Sequence, residues 1–306
     1  MKFTRIIICA LFTISFAFAA HVCEDNGILS ADIGATNSRY VFLPIAPPDT
    51  LEELQNFSRC IKSCESVRPL CTENVMRALP PDSTPCCVSL GLPCPCEDNQ
   101  ATSDGLKDLE QQLHDRYGNC RMVLCNDAVN WMKGALAFEN QYQKKVDRRP
   151  TLLVVLGTAV GLAYFDGDTV KPLELADFAI PYNATRKLLK FEEGPAIGKY
   201  VQYLMVGRYF WEEVNRNPLY DAITQFKGER DITVQYRALI DAFVQDLAES
   251  LGDSMLIERV IVAGGNARFL DEGLMNIKHD TIALNAEALH GMSSEIIPML
   301  SVYFEK

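Results

Sequence analysis

Two distant stretches of this chain share one layout, a strand-length apolar run, a short loop of small residues and a second apolar run. The first, Ile28 to Leu43, reads ILSADIG, ATNS and RYVFL. The second, within 152–170, reads LLVVLGTAVGLAYFDGDTV, with another turn at Asp166-Gly167-Asp168. Helix-like and strand-like segments alternate after each. A chain of 306 residues is long enough for two domains of roughly 150 residues. Strand–turn–strand units each followed by βα units fit two similar α/β halves with a cleft between them.

Leu51, Leu54, Phe57 and Ile61 stand at helical spacing, so the periodicity predicts a helix from Leu51 to Leu79, ended by Pro80-Pro81. On it Cys60, Cys64 and Cys71 would share a face. Cys86 to Leu92 and Met122 to Cys125 read as strands, and Leu106 to Tyr117 and Asp127 to Phe138 as helices. Thr185 to Leu251 reads as mostly helical, Arg259 to Ala263 as a buried strand and Ser293 to Phe304 as an amphipathic helix. The expected division is a smaller domain over 27–138, with the helix at about 293–304 packing back on it, and a larger one over 150–290. Arg148-Arg149-Pro150 would link them.

Residues 1–20 have the form of a secretory signal. Lys2 and Arg5 precede an apolar run from Ile6 to Phe16, and Ala17-Phe18-Ala19 is a small-x-small cleavage site. A buried N-terminal helix or a start placed too far upstream are the other readings. The 11 cysteines all lie in the first 125 residues. In an exported chain they could pair, and as small buried hydrophobes they need no partner. No repeated CxxC pair with nearby histidines suggests zinc. With 40 acidic against 29 basic residues the net charge is -11, which argues against a nucleic-acid partner but leaves room for a phosphate held by backbone amides.

Four segments could carry chemistry. In Asp32-Ile33-Gly34-Ala35-Thr36-Asn37-Ser38-Arg39 the loop amides could nest a phosphate, and Asp32 could hold Mg²⁺ through water. The same residues would serve a plain hairpin. Asn126-Asp127 follows a strand and opens a helix. A carboxylate there can take a proton from an attacking hydroxyl, or simply cap the helix. Leu156-Gly157-Thr158-Ala159-Val160-Gly161 is another turn that could face a phosphate chain, and Val262-Ala263-Gly264-Gly265-Asn266 could admit a flat ring close to the backbone.

In this order the four segments resemble the sugar-kinase/Hsp70/actin superfamily, in its bacterial glucokinase and ROK branch. DIGATNSR is similar to the DIGGTxxR phosphate motif, VLCNDAVNWMKGA to the second motif, LGTAVGLA to GTGxG and IVAGG to the adenosine motif. The resemblance implies an α/β, two-domain actin-like ATPase (ribonuclease H-like) fold and an ATP-dependent hexose kinase. It implies Asp127 as general base and Asn126 as a sugar contact. Asp32 would support Mg²⁺. Gly34, Thr36, Asn37, Arg39, Gly157 and Thr158 would hold the phosphates, and Gly264 and Gly265 the adenosine. Glu174-Leu175-Ala176-Asp177 stands where a sugar-binding ExGH is expected, which implies Glu174 and Asp177 as sugar contacts, with Glu193 as a later one.

Three departures bear on function. Ala35 and Ala159 stand where the family has glycine, and a Cβ there can obstruct a phosphate. Asp177 replaces a histidine, exchanging a donor for an acceptor. The family's cysteine-rich zinc motif is absent, so no zinc is expected. The expected partners are a sugar and ATP, with a homodimer as a further option. The first alternative is a kinase-fold protein that binds a sugar or partner without catalysis; the second is a kinase for an N-acetylated hexose. A kinase would be cytoplasmic, whereas residues 1–20 point to export.

Overall fold

The computed structural model describes residues 27–34, 38–64, 67, 69–94, 96–97, 100–157, 159–189, 201, 205, 232–270 and 279–304. The signal-like segment lies outside them. The chain divides into two compact units, Met1–Cys125 and Asn126–Lys306.

In the first unit β1 (Ile28–Ile33) pairs antiparallel with β2 (Ser38–Leu43), from Ile28 opposite Leu43 to Ile33 opposite Ser38. Helix α1 (Leu51–Arg59) starts at Thr50, whose Oγ1 accepts from the Glu53 amide at 3.2 Å. The Glu53 carboxylate reaches back to the Asp49 amide at 2.9 Å, so both ends of the first turn are satisfied. Strand β3 (Lys62–Cys64) adds to the free edge of β2. Then come α2 (Thr72–Ala78), β4 (Cys87–Leu92), the ribbon of β5 (Cys96–Glu97) and β6 (Gln100–Ala101), α3 (Leu109–Tyr117) and β7 (Arg121–Asn126). The sheet order is β3-β2-β1-β4-β7, with β1 and β4 parallel. Leu29, Ala31 and Ile33 of β1 and Val88, Leu90 and Leu92 of β4 share the core with Val75, Met76, Leu109 and Leu113 from the helices.

The single helix expected over Leu51–Leu79 is two helices with a strand between them. The Cys60 amide donates to Phe57 O at 2.9 Å and closes α1 with a tight turn, after which the backbone is satisfied on the edge of β2 instead. Cys60, Cys64 and Cys71 therefore share no helical face. Cys60 follows α1, Cys64 sits in β3 and Cys71 occupies the N-cap position of α2. The nine described cysteines are all thiols.

The second unit begins with α4 (Asp127–Tyr142). Strand β8 (Thr151–Leu156) pairs antiparallel with β9 (Val160–Phe165), which pairs antiparallel with β10 (Val170–Leu173). Helices α5 (Asn183–Leu189) and α6 (Ile232–Gly252) precede β11 (Arg259–Ala263), parallel to both β8 and β12 (Asp280–Ala283). The order is β10-β9-β8-β11-β12. Buried Asp246 of α6 accepts from the Ala184 and Thr185 amides at 2.7 and 2.8 Å and from Thr185 Oγ1 at 2.6 Å, fixing the first turn of α5. The amphipathic helix expected over Ser293–Phe304 is shorter, a single turn α7 (Ile296–Met299) followed by a 3₁₀ turn over Leu300–Tyr303. Pro298 stands in the first turn of α7, where its missing amide is tolerated. These turns pack on α4, within the second unit. Among the described residues no helix is long and apolar enough to cross a membrane.

Two features hold α4 in place. At Gly134 it passes so close to α7 that a Cβ would overlap the Ile297 carbonyl. Toward its C-terminus Glu139 pairs with Arg259 Nη2, both side chains fully or almost fully buried. Arg259 Nη1 lies 3.5 Å from Asp147 Oδ2. Arg149 clasps Asp147 at 2.6 Å and Asp280 at 2.7 Å. Hydrogen bonds from Arg149 hold the Asp147 carboxyl well below the usual carboxylate range.

Gly134→Ala should destabilise the protein by about 1–3 kcal/mol, the usual cost of overpacking. Gly252→Ala at the end of α6, where a Cβ meets nothing within 4 Å, should leave the melting temperature unchanged or raise it. Denaturant unfolding of the two variants checks this. Because the Asp147 pKa is lowered on folding, its contribution is present above the unfolded value of about 4 and is lost as pH falls. Asp147→Asn should therefore lower the melting temperature at pH 7 and narrow its gap to the parent at pH 3.

Candidate functional site

Strand β7 runs straight into α4, and the junction presents a carboxylate at the end of the strand. Asn126 is the N-cap residue, with φ -59° and ψ 143°, and its Oδ1 accepts from the Ala128 and Val129 amides at 3.0 and 3.4 Å. The capping role weighed for Asp127 thus belongs to Asn126. Asp127 is the first helical residue, and its Oδ1 accepts from the Ala128 amide at 2.8 Å. Burial pushes its pKa up to about 6. The bond from Ala128 works against the shift, and the negative charge of Glu174 adds to it. A carboxyl tuned this way can exchange a proton near neutral pH.

The start of β9 lies against the residue that follows this carboxylate. A Cβ on Gly161 would stand 3.4 Å from Ala128 Cβ, so β9 runs close against the first turn of α4. Gly157 donates its amide to Ala159 O at 3.1 Å within the loop joining β8 to β9. On the other side of β8, Gly264 has φ +93°, and a Cβ on it would meet the Leu156 backbone at 2.6 Å. The turn after β11 is thereby seated on the end of β8, and only glycine fits there. Gly265 opens a 3₁₀ turn over Gly265–Phe269, and a Cβ on it would meet nothing within 4 Å. Glu174 and Asp177 are exposed at the two ends of the short turn after β10, with the Asp177 amide donating to Glu174 O at 3.0 Å.

The second unit thus gathers Asp127, Gly157, Gly264 and Gly265 around the ends of β8, β9 and β11, with the charge of Glu174 acting on Asp127. The two contacts that set this grouping were not legible in the sequence. Gly161 stood in the GTAVG segment, but its neighbour Ala128 did not stand out, and nothing marked the Leu156 backbone beneath Gly264.

Asp32, Gly34 and Arg39 belong to the first unit. Asp32 is 8% exposed near the end of β1, opposite Arg39 on β2 and Gly91 on β4. Gly34 follows, and its carbonyl accepts from Ser38 Oγ at 3.4 Å. A buried carboxylate at a strand end suits Mg²⁺, which needs one or two carboxylates and keeps much of its water. Among the described residues no group of three His, Cys, Asp or Glu side chains is placed to hold a metal ion. Thr36, Asn37, Thr158 and Glu193, with Ala35, lie outside the described residues.

The sequence matches no protein-family model and no curated protein. Its structure is similar to solved sugar kinases. An inorganic polyphosphate/ATP-glucomannokinase from Arthrobacter sp. strain KM is 16% identical, with TM-score 0.50 over 92% of this chain and 98% of that one. A putative N-acetylmannosamine kinase from Listeria monocytogenes is 17% identical, with TM-score 0.51 over 91% and 98%. A putative sugar kinase from Cytophaga hutchinsonii is 12% identical, with TM-score 0.53 over 92% and 100%. The chain shares the fold of these solved sugar kinases.

Gly264→Ala should lower stability by about 1–3 kcal/mol through strain and overlap with Leu156. Gly265→Ala should leave the melting curve unchanged. Thermal unfolding of the two single variants distinguishes them.

Proposed function

We propose that this protein is an ATP-dependent kinase that transfers the γ-phosphate to a hydroxyl of a glucose-like hexose. The observation that carries the reading is Asp127, a carboxyl at the first position of α4 whose burial raises its pKa to about 6. Burial lifts its proton affinity toward neutrality, so it stays ionised at working pH yet can accept a hydroxyl proton. Mg-ATP, when bound, supplies the phosphoryl group together with the charge neutralisation that such a transfer needs.

The remaining roles are assigned by the resemblance of the sequence motifs to those of sugar kinases. Asp127 orients the sugar hydroxyl and takes its proton. Asn126 holds the helix start so that the neighbouring carboxyl keeps its direction, and contacts the sugar. Glu174, Asp177 and Glu193 accept hydrogen bonds from other sugar hydroxyls. Gly157 and Thr158 bind phosphate through the β8–β9 loop, and Gly265 leaves the backbone open to the adenosine beside Gly264. Asp32 takes water-held Mg²⁺, with Gly34, Thr36, Asn37 and Arg39 beside it for phosphate. Catalysis of this kind is mainly positioning and electrostatics.

The test is ADP release by the purified protein with Mg-ATP and glucose, mannose and N-acetyl hexosamines. Sugar-dependent turnover is expected. Asp127→Ala should lower kcat by about 10²–10⁴-fold, the usual range for a general base, with the melting temperature maintained. The activity of the parent should rise with pH through about 6 as Asp127 ionises. Undiminished turnover in Asp127→Ala would remove it from the chemistry. A folded parent that neither binds Mg-ATP nor turns over any sugar would overturn the kinase reading.

A further inference from the structure

The cysteines of the first unit include a pair that the sheet sets side by side. β4 and β7 are hydrogen-bonded neighbours, and the chain between them crosses through α3, the connection that joins parallel strands. Where the two begin, the Arg121 amide donates to the Cys86 carbonyl at 3.1 Å. Cys86 and Cys120 are the residues immediately before β4 and β7, and this bond, of the kind that links parallel strands, sets the two opposite each other. Neighbouring strands lie about 4.7–4.9 Å apart, inside the roughly 4.4–6.8 Å Cα separation that a disulfide spans.

We propose that Cys86 and Cys120 are a disulfide-forming pair, closed by exchange with a small-molecule disulfide such as oxidised glutathione. Cys86 is exposed and Cys120 partly so, which makes Cys86 the entry point. In the thiol form Cys86 Sγ donates weakly to Gly27 O at 3.4 Å, and a rotation about χ1 frees it to turn toward Cys120. The Cys86 thiolate attacks one glutathione sulfur, forming a mixed disulfide and expelling one glutathione thiolate. The Cys120 thiolate then attacks the Cys86 sulfur and expels the second. The protein loses two electrons and two protons, and the glutathione disulfide gains them as two thiols.

Two neighbouring observations sharpen the choice of pair. Burial raises the Cys120 pKa, and the nearby Cys86 thiol adds to the rise. Cys87 is adjacent in sequence, but it opens β4 and burial pushes its thiol up to about 11. Cys87 is thus the poorer nucleophile, although both Cys86 and Cys120 act on it electrostatically.

The experiment incubates the whole protein with mixtures of oxidised and reduced glutathione, blocks remaining thiols by alkylation and maps peptides without reduction. The expected product is one cross-linked peptide pair joining Cys86 to Cys120, two hydrogens lighter than the thiol forms and cleaved by dithiothreitol. Cys86→Ser, at an exposed position, should remove it with the melting temperature kept, and Cys87→Ser should retain it. Alkylation of both Cys86 and Cys120 after oxidation would overturn the proposal, as would linkage of Cys86 to any other cysteine. Neither readout depends on kinase activity.

Discussion

The second unit depends on an arginine that has no access to water. The Arg259 side chain is fully buried and its charge is met by Glu139 and Asp147. An unmatched charge at that depth would cost several kcal/mol, so the geometry of the pair is strongly enforced. Arg259 is the first residue of β11, and Glu139 lies about three turns along α4 from Asp127. The ion pair therefore fixes the helix that opens with the candidate base against the strand that leads into Gly264. A polar contact far from the candidate chemistry sets the register of two parts of the site. Arg149, through Asp147 and Asp280, extends the same clamp to β12.

Asp127 illustrates the opposite balance. Its raised pKa means that folding disfavours its charged form, so an ionised Asp127 costs stability at neutral pH. Asn126 and the Ala128 amide hold this residue in place through the first turn of the helix. A group that weakens the fold yet is held so firmly fits a functional rather than a structural purpose.

The apolar strands and the small-residue loops between them were legible because they are local patterns. Thr151–Leu156 and Arg259–Ala263 are apolar enough to announce burial, and both are core strands. The junction of β7 with α4 was legible from an Asn-Asp pair between an apolar run and a helical one. What escaped were features decided by distant partners. Lys62–Cys64 is polar and brief, and becomes a strand only because the edge of β2 is there to receive it. Nothing in the sequence marked Glu139 as the buried partner of Arg259. Gly134 reads as a weak spot in a helix until Ile297 appears across from it.

The contact at Gly134 has a consequence for the order of assembly. Helix α4 emerges from the ribosome long before the segment containing Ile297. Until residues 296–303 exist, the face around Gly134 lacks its partner, although the helix and the strands beside it can already form. The contact between α4 and α7 thus forms late and across a long sequence separation. A cell making this protein must protect an apolar helix face for much of its synthesis, so chaperone demand should concentrate there.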